Sequence, residues 1–290
     1  MPSLQSLRRK IGSVKNTQKI TKAMKMVASS KLRRAQSRIL AFRPYGLKMR
    51  TVVADLSRRV NRELHPLLQK RPTKIVRVSV VTSDRGLCGA FNANIIRRAL
   101  EFIRECEARG AQVEIGLVGR KGRDFFRRRH WPTHEPFVDI FDRLTYEHGM
   151  AIAQAGYEQY TNGAFDEFHV IYNEFKSALQ QRVIVEQHFP IESIEEPGQP
   201  GEPLGGSYLY EPDEGVVLED LLRKNMQAQA YRILLESSAA EQAARMAAMD
   251  GATRNAGELI KKLTLYYNKT RQAAITKELM DIVGGAEALK

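Results

Sequence analysis

The sequence predicts an α/β fold in which a Rossmann-like α/β domain is inserted between N- and C-terminal helices that form a long antiparallel coiled coil. Three observations carry this. The stretch 214–286 contains no proline and is rich in Ala, Leu, Met, Glu, Lys and Arg, the residues that lose least on entering a helix. Apolar and small residues recur every 3.5 positions at both ends of the chain. Between the ends, β-branched runs alternate with helical patterns, which is the signature of a largely parallel sheet.

A single helix over 214–286 would be roughly 100 Å long at about 1.5 Å per residue, so it needs a partner of similar length. The C-terminal seam comprises Leu235, Ala239, Gln242, Met246, Met249, Thr253, Ala256, Ile260, Leu263, Tyr267, Thr270 and Ala274. The N-terminal seam runs Leu4, Leu7, Ile11, Val14, Gln18, Thr21, Lys25, Ala28, Leu32, Ala35, Ile39, Phe42, Gly46, Met49, Val53, Leu56 and Val60. Sustained heptads of this length favour a coiled coil over an ordinary bundle. From Gln18 to Lys25 the seam is polar and faces mostly small residues. That weakens a dimer interface but permits close approach, and it is explained if this length contacts other chains.

In chain order, Ser3 caps the first helix. Pro44 lies inside its heptads and predicts a bend near 40–44, with the helix resuming to about residue 61. Prolines at 66 and 72 mark a linker. Strands are expected over 75–82, 113–118, 167–172 and 182–189, and helices over 93–109, 120–129 and 144–162. A Pro/Gly-rich loop covers 195–206, and a short edge strand covers 208–210. The domains expected are residues 1–61 (N-terminal coiled-coil helix), 73–211 (α/β globular domain) and 213–290 (C-terminal coiled-coil helix). In this arrangement the insert anchors one end of the helical hairpin and the other end projects away.

The net charge of +13 is unevenly distributed: residues 1–60 hold 16 Lys or Arg and one acid, Asp55, so the rest of the chain carries a net −2. A basic helix of this kind seeks an acidic partner, whether nucleic acid, anionic lipid or an acidic protein surface. The heptads run through the basic residues rather than beyond them, unlike a zipper-type DNA reader. No apolar run approaches 18 residues, so no membrane-spanning segment is expected. Two cysteines, Cys88 and Cys106, are too few for a disulfide framework.

Three places were candidates for chemistry. The turn 84–89 follows the first strand, where a phosphate loop would sit, but it has only two glycines and no Walker pattern; a structural turn is the plainer reading. Gly116, Gly119 and Gly122 have the same weakness. His130 and His134 flank Trp131 and Pro132 at metal-like spacing, but the proline interrupts the helix and no further ligand is suitably spaced. No catalytic triad or paired carboxylates stand out, so catalytic, cofactor and metal residues are all expected to be none.

Three blocks carry a resemblance. They are Gln18-Lys19-Ile20-Thr21-Lys22-Ala23-Met24-Lys25-Met26-Val27-Ala28, Ser83-Asp84-Arg85-Gly86-Leu87-Cys88-Gly89, and Tyr267-Asn268-Lys269-Thr270-Arg271-Gln272-Ala273-Ala274-Ile275-Thr276-Lys277-Glu278-Leu279. In order and spacing they resemble the γ subunit of the F-type ATP synthase over the whole chain. The resemblance implies a rotor shaft that penetrates a ring of α and β subunits and sits, with ε, on the membrane ring of c subunits. Nucleotide would bind to α and β rather than here, and nucleic acid would not be a partner. By the same resemblance, Lys22, Met24 and Lys25 would face acidic loops of β, and Arg271, Gln272, Thr276 and Glu278 would touch its catch loops. The redox-cysteine insert of chloroplast members is missing, so thiol control is not expected. A bacterial protein on the cytoplasmic face of the plasma (inner) membrane, peripheral to the complex, is the expected setting.

Overall fold

The computed structural model describes residues 3–59, 65–134, 136–177, 180–191 and 214–287. The elements are α1 (Leu4–Arg59), β1 (Ile75–Val81), α2 (Phe91–Ala108), β2 (Gln112–Val118), α3 (Arg120–Phe126), a 3₁₀ turn (Phe141–Arg143), α4 (Tyr146–Thr161), β3 (Glu167–Phe175), β4 (Gln181–Phe189) and α5 (Glu214–Glu287). The expected loop at 195–206 and edge strand at 208–210 lie outside the described residues. The chain divides into two compact units, Met1–Ser29 with Arg245–Lys290, and Ser30–Ala244; both long helices contribute to each. Pro44 is accommodated inside α1, which is helical on both sides of it.

The larger unit is built on a four-stranded sheet of order β2-β1-β3-β4. β1 pairs in parallel with β2 and with β3, and β3 pairs antiparallel with β4. The expectation of a largely parallel sheet therefore holds for three strands, and β4 is the antiparallel exception. β3 runs to Phe175, beyond the expected end at Tyr172, because Asn173, Glu174 and Phe175 find ladder partners in β4. The expected helix over 144–162 starts later, at Tyr146, because Thr145 and His148 form a capping box there. The basic helix stops at Phe126, before the expected 129.

Side chains alternate across the sheet. Val76, Val78, Val80, Val113, Ile115 and Leu117 face a core shared with α2 through Ile95, Ala99 and Ile103. On the opposite face, Val81, Val118, Val170 and Tyr172 pack with Ile233, Leu234 and Leu235 of α5. Leu218, Leu222 and Met226 join Ala153, Tyr160 and Phe189 in a third cluster. α4 and α5 approach very closely: a Cβ on Gly149 would lie 2.8 Å from Tyr231 Cβ and 2.9 Å from its backbone. The Tyr231 ring meets Phe42 of α1 edge-on at 5.1 Å.

A polar cluster is enclosed between β3, β4 and α5. Arg232 donates to both carboxylate oxygens of Glu186 at 2.7 and 2.8 Å, to the Tyr172 hydroxyl and Glu236 at 3.1 Å, and to Gln229 at 2.7 Å. Burial alone would raise the Glu186 pKa, but Arg232 outweighs it and holds the carboxyl at about 2. Glu236 shifts the other way, raised by burial against the pull of Arg232.

Candidate partner interface

The expected contact residues all fall in the smaller unit, where the first turns of α1 run antiparallel to the C-terminal half of α5. The direction follows from the pairing. Lys25 meets Asp250 at 2.6 Å, whereas Gln18, nearer the start of α1, meets the Thr253 carbonyl at 3.4 Å. The heptads explain the register. Every expected seam position with a described side chain, from Leu4 to Val53 and from Leu235 to Ala274, is buried or half-buried. Beyond Leu263 on α5, the only other half-buried residues among the described side chains are Tyr267, Thr270 and Ala274, which are the seam positions.

Between Gln18 and Ala28 the seam is polar and tight. Thr253 donates from its hydroxyl to that of Thr21 at 2.8 Å, and Thr21 in turn donates to the Gln18 carbonyl at 3.1 Å. Ala28 and Ala256 are buried. A Cβ on Gly257 would approach Gln18 Nε2 to 2.9 Å. Small residues therefore set the helix separation here, and hydroxyl and amide groups fill the space that Leu or Ile would take in a seam built for stability alone. The hydrogen bond from Lys25 lowers the Asp250 pKa.

The expected contact residues form two patches. Lys22 is exposed, Met24 is half-buried, and Lys25 lies on the seam with its ammonium on Asp250. Arg271, Gln272, Thr276 and Glu278 are all exposed. The helical rise places Arg271 roughly 30 Å along α5 from Asp250, so the two sets do not meet. Two features escaped the sequence reading. Asp250 was not singled out as the partner of Lys25. Ile20, Met26 and Val27 are 58–61% exposed beside Lys19 and Lys22. At the far end of α5, Ile275, Leu279, Met280, Ile282 and Val283 are exposed as well. The signal for these was available: a large apolar residue at an off-seam heptad position has no place inside the pair.

In the larger unit, the turn after β1 is closed by its own side chains. Asn92 accepts from the Ser83 amide at 3.0 Å, and the Ser83 hydroxyl donates to the Arg85 carbonyl at 2.7 Å. The first amides of α3 are also occupied. Arg120 N donates to Asp84 at 3.1 Å, Lys121 N to the Ser83 carbonyl at 3.1 Å, and Gly122 N to the Thr82 hydroxyl at 2.8 Å. A Cβ at Gly119 would lie 2.2 Å from the Thr82 carbonyl, so this glycine permits the contact of α3 with β1. The glycines that resembled a phosphate cradle thus serve a strand-to-helix junction. His134 pairs with Glu114 at 2.9 Å, and the His130 ring lies tilted against Trp131 with centroids 4.2 Å apart. Cys88 and Cys106 are both buried, and no disulfide joins them.

Comparison with known proteins gives one consistent answer. The protein-family model described as ATP synthase matches residues 3–289. The ATP synthase gamma chain of Anaeromyxobacter sp. is 47% identical, with both chains covered completely. Those of Chlorobaculum parvum and Geobacter metallireducens are 47% and 45% identical, again with complete coverage. Among solved structures, a chain of the Tetrahymena thermophila mitochondrial ATP synthase central stalk and c ring superposes with a TM-score of 0.60 at 27% identity, covering 80% of this chain and 99% of that one. A chain of the Euglena gracilis mitochondrial enzyme, from a structure of its OSCP, F1 and c ring, reaches 0.67 at 21% identity, covering 99% and 94%.

Proposed function

The chain belongs to the ATP synthase gamma chain family, and on that premise we propose that it is the rotor shaft of an F-type complex, carrying rotation between a proton-driven c ring and three catalytic β subunits. Its partners are then α and β of the catalytic hexamer, ε and the c ring. Catalysis lies in β, and this chain supplies no catalytic residue. The complex sits at the cytoplasmic face of a bacterial plasma membrane, with this chain as a peripheral part. Among the described residues no helix is long and apolar enough to cross a membrane, which agrees with that placement.

The observation that carries the reading is the seam from Gln18 to Ala28. A hairpin stabilised only by its own pairing has no reason to place threonine, glutamine and lysine between its helices while Ile20, Met26 and Val27 face outward. A shaft turning inside a ring needs a stiff pair and an outer surface that contacts its housing without locking to it. Basic exposed residues such as Lys22 supply attraction to acidic loops that remains screened and exchangeable. In this role Lys22, Met24 and Lys25 make one set of β contacts, and Arg271, Gln272, Thr276 and Glu278 make another. Lys25 reaches an external carboxylate by sharing its ammonium with Asp250.

Mixing the purified chain with α and β tests the proposal. Stable assembly with increased ATP hydrolysis is expected. Failure to assemble, together with tight nucleic-acid binding that falls by about one log unit per log unit of salt for each phosphate contacted, overturns it.

A further inference from the structure

The larger unit holds a cavity of about 580 Å³ between the outer half of the sheet and α4. All of its lining residues belong to the larger unit. Its volume falls in the range of about 300–1,000 Å³ typical of small-molecule sites. Arg77, Ser79, Gln159 and His134 give it a polar end, with Phe168 beside Arg77 in the strand register, and Val118, Phe137 and Ile152 give it an apolar one.

Arg77 is the informative residue. It sits in β1, a central strand, and is only 5% exposed. In the parallel register it stands beside Glu114 of β2 and donates to that carboxylate at 2.5 Å. It also donates to the Gln159 side-chain oxygen. Its guanidinium lies 4.3 Å from the centre of the Phe165 ring. Glu114 balances its charge and is held in place on its other side by His134 at 2.9 Å. Arg77 Nε nevertheless remains buried with no hydrogen-bond partner, and an unmet buried donor costs about 1–3 kcal/mol. An arginine brought into a sheet interior solely for its ion pair would not need an open cavity of this size beside it. Glycines keep the cavity clear: Gly116 on β2 and Gly156 on α4 both line it, and a side chain at either position would take up part of the volume.

We propose that this cavity binds a small organic carboxylate with an apolar body, its carboxylate accepting from the Gln159 amide and the Ser79 hydroxyl beside the Arg77 guanidinium, and its body lying against Phe137, Ile152 and Phe168. The polar end is rich in donors. Arg77 offers only N–H groups, and Gln159 has committed its oxygen to Arg77, which leaves its amide hydrogens to point elsewhere. An acceptor with two oxygens fits that end better than a neutral amide, which would bring donors against donors. The apolar wall selects against inorganic anions, which have nothing to bury there.

The test uses the full chain with 2-naphthylacetate as probe and 2-naphthylacetamide as its neutral match. Binding is followed by calorimetry and by the imidazole NMR signals of His134, next to Glu114. The carboxylate should bind at least tenfold more tightly than the amide and shift the His134 signals. Arg77→Lys keeps the charge but removes the planar fork that holds Gln159 and Glu114 in place and should weaken binding at least tenfold. Ala155→Leu enlarges a lining side chain and should abolish binding while leaving the melting temperature close to that of the parent chain. Water filling the cavity is the competing outcome. It would give no saturable carboxylate binding, or equal responses to carboxylate and amide, and either result overturns the proposal. Undiminished binding by folded Ala155→Leu overturns it too, because the ligand would then lie elsewhere.

Discussion

Replacing Arg232 by methionine should destabilise the larger unit by about 3 kcal/mol, and two estimates converge on that figure. Loss of one partner from a buried ion pair costs about 3–5 kcal/mol because the other charge is left uncompensated. The Arg232 and Glu186 side chains are 24% and 31% exposed, so some water reaches the pair and the low end applies. Independently, Glu186 is held at about 2 against an ordinary 4.5, and at about 1.4 kcal/mol per pKa unit this again gives about 3 kcal/mol. The double variant Arg232→Met with Glu186→Leu removes both charges. It leaves the Tyr172 hydroxyl without Glu186, its partner at 2.8 Å, which costs about 1 kcal/mol. The double variant should therefore be more stable than the single one by about 2 kcal/mol. Urea unfolding can be followed by fluorescence of Trp131, the only tryptophan, which lies in this unit. A cost below about 1 kcal/mol for Arg232→Met, or a double variant no more stable than the single, would refute the reasoning.

The same cluster sets a pH dependence. Glu186 has a depressed pKa, so its stabilisation is complete above about 4.5 and is lost as pH falls toward about 2. Glu236 is raised and acts in the opposite sense, favouring the fold as it protonates; Glu186→Gln should therefore flatten the acid limb of the stability curve. Gly149→Ala drives a methyl to 2.9 Å from the Tyr231 backbone and should cost about 1–3 kcal/mol as overpacking. Gly251→Ala has nothing within 4 Å and should instead gain up to about 1 kcal/mol from helix propensity, and thermal melts of the two variants would separate the signs. Arg271 is exposed, so Arg271→Ala should change the free chain by less than about 0.5 kcal/mol, yet reduce ATP turnover of the reconstituted complex. Full activity would reject the contact role, and a large loss of stability would make the residue structural.

The long helices were legible because their signal is redundant. A heptad repeated over many turns fixes which residues face inward, and Tyr267, Thr270 and Ala274 are half-buried among exposed neighbours as that repeat requires. The strands were legible from β-branched runs such as the one beginning at Ile75. Pairing between distant segments was less accessible. Nothing local in 133–137 announces that Thr133 and Phe137 bridge to Ile115 and Val118, nor that β4 joins the sheet antiparallel. The contact patches were named through family resemblance, since exposed Arg271 or Lys22 is indistinguishable by pattern from a solvated charge. The Lys25–Asp250 pair was missed because register between two chain ends is set by the whole seam, whereas a single acid at position 250 carries no such information.

Rotation within the assembled complex is the most direct test of the proposed role. Cys88 and Cys106 are buried, so a cysteine placed at exposed Arg97 on α2 can carry the sole probe. With the α and β ring immobilised and ATP supplied, the shaft account predicts that the probe turns in one direction, pausing at three positions per revolution. A probe that stays fixed while the same complexes hydrolyse ATP would contradict it.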